Sequence, residues 1–408
     1  MKRHIVFILS IVFATSCNKS EEVNPEPKVL KLTPVQEQLI DGGNRFGFDL
    51  LRQIDQAETP AKNLFISPLS VHLALGMAWN GAAGNTRHEM AQTMYFPQLS
   101  DEQINVSYKN LIYELLNADN KVEMGIANSI WYRNTFTVKK NFLDLNREYF
   151  DAEVQALDFN NPQSKNTINA WVANKTRNRI KEIVDAINHD HVMFVINAIY
   201  FKGIWKMEFK KSETRNRPFY LANGTDKQAM TMHTTASFAV ASRPDYQVIE
   251  LPYGRGNFSM LIFLPNNGVS PSQIINNLSV EEWNALAGEL KNKVEVELQL
   301  PRFGFSYEQE LKQPLLNMGI KDAFSEWVAN FSGITDQQIF VSRVRHKTFV
   351  EVNEEGTEAA AVTSVEFSFT SMPPPPLAFH VNRPFVFALK EKYTNSLMFI
   401  GKVMDPSG

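Results

Sequence analysis

The chain has 408 residues, a hydrophobic fraction of 44%, a charged fraction of 21% and a formal net charge of −3. This composition is ordinary for a soluble globular protein that can bury a large core, and the charge balance gives no support for nucleic-acid binding. Cys17 is the only cysteine, which excludes a disulfide within the chain, so stability must come from the packed core alone.

The N-terminal stretch MKRHIVFILSIVFATSC predicts export. Two basic residues precede an apolar run of about ten residues, which is too short to remain as a transmembrane helix. Cys17 resembles the cysteine that is lipidated in bacterial lipoproteins, although Ala14 stands where that signal usually has Leu. We expect a signal peptide over 1–16, a lipid anchor and flexible tether over 17–33, and an outer-membrane or cell-surface location. Secretion is the alternative if Cys17 is not lipidated.

The first third of the chain is predicted to be mainly helical. GFDLLRQIDQAE has one apolar face, and SPLSVHLALGMAWNGA opens with the helix-start signal Ser67-Pro68. SDEQINVSYKNLIYELLNA begins with Ser100 followed three positions later by Gln103, which predicts a capping box. Residues 165–185 return to a helical period after a first strand signal, MGIANSIWY.

Strand signals dominate the second half of the chain. HVMFVINAIYFKGIW predicts a strand buried on both faces. Further strands are predicted in FAVASRPDYQVIELPY, FSMLIFLP, VEVELQLPRFGFSYE and IFVSRVRHKTFVEVNEE, and one helix around GIKDAF interrupts them. Length alone suggests two or three domains, but no proline-glycine linker divides the chain after residue 34. We therefore predict one α+β domain over 34–408.

The stretch GTEAAAVTSVEFSFT, residues 356–370, has the pattern of a strand with one buried face. Its odd-numbered residues from Thr357 to Phe369 carry no charge and become more apolar, whereas the even-numbered residues include both glutamates. Gly356 is expected to supply a turn, and the four prolines at 373–376 favour an extended, unpaired chain. The segment therefore combines features of an exposed loop with those of a buried strand.

Several motifs follow one another along the chain: NLFISPLSVHLALGMAWNGAAGNTRHEM, NAIYFKGIW, LQLPRFGF, VRHKTFVEVNEEGTEAAA, and NRPFVFALKE with SLMFIGKVMDP. Together and in this order, they resemble the serpin family over nearly all of residues 30–408. The resemblance implies an α+β fold of three β-sheets with about nine helices and an exposed reactive-centre loop over 356–376. It also implies suicide-type inhibition of serine, and in some members cysteine, proteases.

The resemblance further implies that cleavage lets residues 357–369 enter the central sheet as a new strand. The fourteen residues up to the expected cut, 357–370, would then carry the attached protease roughly 46 Å, at about 3.3 Å per residue. The implied hinge consists of Glu354, Gly356, Thr357, Glu358, Ala359, Ala360 and Ala361. No proline or inward charge obstructs insertion there, which favours an inhibitor over a non-inhibitory carrier or binding protein of the same fold.

By the family's spacing the cut falls between Thr370 and Ser371, with Phe369-Thr370 and Ser371-Met372 as alternatives. The next bond, before Pro373, is a poor substrate because the ring fixes φ and removes the N–H. A Phe at the cut suits a chymotrypsin-like protease and a Thr suits an elastase-like one. A trypsin-like target is disfavoured, since no Arg or Lys lies near the bond.

The resemblance also implies that opening of the sheet is regulated by five residues, for each of which simple core packing is the alternative. They are Ser67, Ser70, Asn197, His346 and Trp205. Buried hydroxyl, amide and imidazole groups need hydrogen-bond partners. A network of such groups could hold two strands together until one bond is exchanged for another.

No catalytic residue, metal or cofactor is expected. His189-Asp190-His191 is better interpreted as an exposed turn before a strand than as a metal site, and nothing pairs Glu250, Glu354 or Glu355 for acid–base chemistry. No motif of a hydrolase or a phosphate loop occurs. The expected partners are target proteases, with membrane contact only through the N-terminal lipid, and the chain is expected to be a monomer.

Overall fold

The computed structural model describes residues 26–356 and 375–407, which form nine α-helices and fourteen β-strands. The helices are α1 (Pro34–Ala57), α2 (Pro68–Trp79), α3 (Gly84–Thr93), α4 (Asp101–Leu116), α5 (Lys140–Phe150), α6 (Gln163–Lys175), α7 (Pro271–Asn277), α8 (Val280–Glu289) and α9 (Lys312–Met318). The strands are β1 (Leu64–Ile66), β2 (Val122–Arg133), β3 (Glu153–Leu157), β4 (Met193–Gly203), β5 (Arg215–Tyr220), β6 (Asp226–Ser242), β7 (Tyr246–Pro252), β8 (Phe258–Pro265), β9 (Lys293–Pro301), β10 (Phe303–Glu310), β11 (Arg345–Val352), β12 (Leu377–His380), β13 (Phe385–Glu391) and β14 (Leu397–Val403).

The described strands form three sheets. The largest has nine strands in the order β1-β14-β13-β8-β7-β6-β9-β12, with β5 paired to β6. The second has the order β3-β2-β4, and the third is the pair β10-β11. The prediction of an α+β fold with three sheets and about nine helices is confirmed. Among the described residues, no helix has the length and apolarity needed to cross a membrane.

The core lies where α2 packs against the large sheet. Every residue of β8, β13 and β14 is buried, and α2 is apolar on nearly all sides, as expected for a helix inside a large protein. The predicted starts of α2 and α4 are confirmed. The Ser67 hydroxyl accepts a hydrogen bond from the Ser70 amide, and Ser100 and Gln103 form the capping box.

Three predictions of secondary structure were wrong, two in the extent of an element and one in missing two helices. The helix expected over 165–185 ends at Lys175, because Arg177 and Asn178 have positive φ values of 50° and 62°, which stop a right-handed helix. Strand β11 begins only at Arg345, since the chain over 339–344 is irregular. Helices α7 and α8 were missed in a region interpreted as strands, although hydroxyl caps precede both.

Two further expectations differ from the structure. The strand β4 is only partly buried along much of its length, because β2 pairs with one of its edges and no described strand pairs with the other. Residues 26–33, assigned to the flexible tether, lie against the domain. The Asn257 side chain exchanges two hydrogen bonds of 2.9 and 2.8 Å with the backbone of Lys28, and Leu30 is buried.

Candidate functional site between two central strands

The candidate site is the space between β4 and β11. Each strand pairs on one side, β4 with β2 and β11 with β10, and no ladder of described residues joins β4 to β11. A cavity of about 240 Å³ lies between them and is lined by residues from both strands and from α2. Two strands that face each other with no ladder of described residues between them form a place where a further strand can be added.

Gly356 forms the turn at one end of this space, as the sequence predicted. Its φ of +95° is accessible to glycine without strain, and it exchanges backbone hydrogen bonds with Asn353 at 3.1 and 3.3 Å. It also forms an antiparallel bridge with Ile204, the residue after β4. A Cβ atom at this position would lie 2.3 Å from the Gly203 carbonyl oxygen, so a larger residue does not fit.

The carboxylate of Glu354 ties this turn to the large sheet and is only 2% exposed. The Arg302 guanidinium donates to it, through Nε at 2.9 Å and through Nη2, and the Thr214 hydroxyl donates as well. Burial raises the pKa of Glu354, but the hydrogen bonds from Arg302 and Thr214 outweigh it and hold the pKa below its usual value. Glu355 forms an ion pair with Lys211. Glu354 and Glu355 are thus each paired with a cation.

Trp205 lies directly beneath the same turn. Its ring stacks on Tyr253 with centroids 4.2 Å apart, and its indole N–H donates to the Asn353 carbonyl at 2.9 Å. Its backbone amide donates to the Glu355 carbonyl at 3.2 Å. Trp205 therefore holds the turn through its indole N–H and its backbone amide, at the end of the space where Gly356 lies.

Four of the five predicted gating residues line the cavity together. The Ser67 hydroxyl donates to the Met398 carbonyl at 2.8 Å, and the Ser67 amide donates to Nε2 of His346 at 3.0 Å. Ser70 joins them through its amide, which donates to the Ser67 hydroxyl at 3.3 Å. Ser67 and Ser70 thus connect α2 to β11 through His346.

Asn197 faces the same cavity from β4 but belongs to a different hydrogen-bonded pair. Its side-chain amide donates to Oδ1 of Asn128 on β2 at 2.8 Å, and its own Oδ1 is buried with no partner among the described residues. Sequence reasoning missed Asn128, although an asparagine inside the apolar run MGIANSIWY was a signal. The gating role of these residues stays a prediction.

Acidification is expected to weaken the fold through His346. Burial lowers the pKa of this imidazole to about 4 from 6.5, and Nε2 must be unprotonated to accept from Ser67. The contribution of neutral His346 to the free energy of unfolding is therefore fully present above pH 6.5, and it is lost as the pH falls towards 4. Between pH 7 and pH 5 we expect a loss of about 2 kcal/mol in the free energy of unfolding from this group. His72, whose pKa burial also lowers to about 4, adds a similar loss.

The measurement is urea unfolding at pH 7 and pH 5 for the wild type and the His346→Gln variant. The variant should lose about half as much stability on acidification as the wild type. His88→Gln is the matched control, because His88 is exposed on α3. An identical pH dependence in the wild type and the His346→Gln variant would contradict the assignment.

An ionic network that sequence reasoning missed lies at the other end of the space. Arg343 donates to both oxygens of Asp185, at 3.1 and 2.9 Å, and to Glu310 at 2.6 Å. It thereby links β10 and the start of β11 to the segment between α6 and β4. Its members lie up to 158 positions apart in sequence, so no local pattern could predict it.

The remaining predicted residues have different outcomes. His189 and Asp190 form an exposed turn before β4, as expected. Within the described ranges, no group of three or more His, Cys, Asp or Glu side chains could hold a metal ion. The other predicted positions lie outside the described residues: Cys17, Thr357, Glu358, Ala359, Ala360, Ala361, Phe369, Thr370, Ser371 and Met372.

Comparisons with known proteins agree with this architecture. An archaeal relative from Methanosarcina acetivorans, named an uncharacterized serpin-like protein, is 34% identical over 89% of this chain and 85% of its own length. The native structure of the thermophilic serpin tengpin is 29% identical, with a TM-score of 0.82 over 93% of this chain and 97% of its own. Human thyroxine-binding globulin with its ligand gives 29% identity and a TM-score of 0.83 over 92% and 100%.

The family assignment follows from the sequence itself. The family model described as "Serpin (serine protease inhibitor)" matches residues 41–406, which is most of the chain. This chain is therefore a member of the serpin family.

Proposed function

We propose that this serpin is a suicide-type inhibitor of serine endopeptidases, and of cysteine endopeptidases that form an equivalent acyl-enzyme. The proposal rests on one observation above all. No ladder of described residues joins β4 to β11, and Gly356 bridges to the chain at the end of both strands. Serpin loop insertion is itself a known example of strand addition to a sheet. Here residues 357–369 would form the added strand.

Gly356 defines the register of that strand. It pairs antiparallel with Asn353 after β11 and with Ile204 after β4, so each later loop residue would lie opposite one residue earlier on both strands. In β11 the even-numbered residues are buried and the odd-numbered ones are half-buried. Opposite residues share a face, so the odd-numbered loop residues would point to the core. Ala359, for example, would lie opposite Val350.

The same register brings a hydroxyl to the polar cluster. Seven positions beyond Gly356, Thr363 would lie opposite both Asn197 and His346. Asn197 Oδ1 has no partner among the described residues, and neutral His346 carries its proton on Nδ1 because Nε2 accepts from Ser67. The Thr363 hydroxyl could donate to Oδ1 of Asn197 and accept from the Nδ1–H of His346. This supports the proposal that buried polar groups on both sides of the cavity act on insertion.

The target protease supplies the catalytic groups, and this chain supplies a loop that the protease attacks as a substrate. The nucleophile of the protease attacks near the Thr370-Ser371 bond, the peptide bond breaks, and the acyl group stays on the nucleophile. Insertion then pulls the acyl-enzyme towards the far end of the space and distorts its oxyanion hole before water can complete hydrolysis. The native protein is therefore kinetically trapped in a state of higher free energy than the inserted one.

Chymotrypsin and elastase are expected to form covalent complexes that survive boiling in SDS. Their pockets suit Phe369 and Thr370, respectively, and mass spectrometry of the released peptide would identify the cleaved bond. Trypsin is the control, since residues 356–376 contain no Arg or Lys. Gels that show only cleaved serpin beside active protease would defeat the proposal.

A second candidate is a non-inhibitory binding or carrier protein with the same fold. The likeness to thyroxine-binding globulin favours it, because that neighbour was solved with a bound ligand. A carrier without insertion would melt at the same temperature before and after loop cleavage. The stoichiometry of inhibition and the melting temperature before and after loop cleavage therefore separate the two candidates.

We also propose that the protein is exported and anchored through a lipid on Cys17, at the outer membrane or cell surface. The export signal and the cysteine that follows it support this, with secretion as the alternative. Lys28, which follows Cys17 in the chain, is hydrogen-bonded to Asn257, so the proposed lipid would be attached near this part of the domain. The intact mass of protein from the membrane fraction would test the lipid directly.

A further inference from the structure

Trp327 is the most exposed large apolar side chain in the described residues, with 84% of its surface accessible. Val328 beside it is 57% exposed, and Phe340 is 38% exposed. The segment is anchored on both sides, because Phe324 and Phe331 are buried in the core. The local packing thus presents most of the Trp327 side chain and more than half of Val328 to solvent, and neighbouring exposed apolar side chains are candidates for an interaction site.

Trp327, Val328 and Phe340 lie towards the end of the inter-strand space that is farthest from Gly356. The Gln338 side chain donates to the carbonyls of Glu326 and Ala329 at 3.3 and 2.8 Å, which holds residues 326–329 against residues 338–340. Phe340 lines the cavity between the strands, together with His191 from the opposite side. We name Trp327, Val328 and Phe340 the far-end patch.

In the register set by Gly356, the inserted loop would end near the far-end patch. Phe340 and His191 precede β11 and β4, so the register continued past the ends of these strands would bring residue 369, thirteen positions beyond Gly356, close to both side chains. A protease joined to residue 370 would therefore arrive beside the far-end patch when insertion is complete. We propose that the far-end patch is a docking surface for the arrested protease. This inference rests on the proposed inhibitory function.

The geometry favours the protease over a membrane as the occupant. The N-terminal segment meets the domain at the other end, where Asn257 binds Lys28 and the neighbouring Gly254 amide donates to the Ile204 carbonyl. A lipid on Cys17 would hold the membrane near that end. Covalent attachment also gives the protease an effective concentration of about millimolar or higher, so a patch of three side chains can be occupied although it could not bind a free partner tightly.

Docking there would lengthen the life of the complex. Insertion distorts the protease, and apolar groups loosened by that distortion could pack on Trp327 and Val328 and leave water. Return of the protease to its active geometry would then require that contact to break. Loss of the contact is expected to speed release of active protease about tenfold, the factor that corresponds to about 1.4 kcal/mol.

The experiment compares three proteins in complex with chymotrypsin or elastase: the wild type, the double variant Trp327→Ser/Val328→Ser, and Tyr113→Ser. Tyr113 is the matched control, because it is a 62% exposed aromatic residue on α4. All three should form the same fraction of SDS-stable complex at early times. Active protease should then return about tenfold faster from the double variant only.

Hydrogen exchange provides a second readout that does not depend on a variant. The amides of residues 326–328 should become protected in the complex and should exchange in serpin cleaved by a non-target protease as fast as they do in the isolated protein. Equal release rates without protection would overturn the inference and leave the inhibitory function standing, whereas the absence of any wild-type complex would overturn both. Protection in the isolated protein at high concentration, or on vesicles, would assign the patch to a second copy or to lipid and overturn the inference.

Discussion

Arginine in place of Ala359 is expected to convert the proposed inhibitor into a substrate. On insertion in the register set by Gly356, Ala359 would lie opposite the buried Val350, so the new guanidinium would enter the core without a partner. Burying an unpaired charge costs several kcal/mol, and each 1.4 kcal/mol slows insertion about tenfold relative to hydrolysis of the acyl-enzyme. The stoichiometry of inhibition should rise from near one to about ten or more. Thr357→Arg should act in the same way.

Ala360→Arg is the matched control for this variant. This variant introduces the same side chain at the next residue. Because residue 360 would point to solvent after insertion, the stoichiometry of inhibition by this variant should stay near one. The measurement is titration of active-site-calibrated chymotrypsin or elastase with each variant. If Ala359→Arg and Ala360→Arg behaved alike, the inward and outward faces of the loop would be assigned wrongly.

Cleavage of the loop is expected to raise the melting temperature by an amount on the order of 15 °C. Insertion would add a strand of about thirteen residues bonded on both sides, with a net gain of roughly 1 kcal/mol per residue. A domain of this size has an unfolding entropy of about 0.8 kcal/mol/K, so roughly 13 kcal/mol corresponds to that shift. The measurement is thermal unfolding by circular dichroism before and after a limited cut in the loop by a non-target protease.

Ala359→Arg again provides the control, because its cleaved form should melt close to its intact form. A crystal structure of the cleaved wild type would show whether residues 357–369 have joined β4 and β11. An unchanged melting temperature for the cleaved wild type would remove the driving force from the proposed mechanism and would favour the carrier alternative.

Local chemistry made parts of the fold predictable. The caps at Ser67 and Ser100 use side chains within three residues of the amides they bind, so a short window of sequence contains the whole interaction. Gly356 was predictable for a similar reason, since a turn after a strand needs a residue that tolerates positive φ. The family motifs then related these local signals to a fold, which the structure confirms.

Predictions failed where distant contacts decide the outcome. The run IFVSRVRHKTFVEVNEE is strand-like throughout, yet only Arg345–Val352 pairs with β10, because the Val341 amide is bonded to the Ala323 carbonyl instead. The helical period over 165–185 stops at Lys175 for reasons of backbone geometry that composition does not show. Intrinsic propensity is a weak prior, and tertiary contacts override it.

The amino-acid sequence alone specified the family, the positions of the caps and of the turn glycine Gly356, and a segment whose alternation suits a buried strand. Those features depend on residues close together in the chain. Only the tertiary structure decided that Glu354 is held by Arg302, that Asn197 pairs with Asn128, and that no ladder of described residues joins β4 to β11. Such contacts join residues 52 or more positions apart, and their partners are chosen by the packing of whole sheets, which no short stretch of sequence encodes.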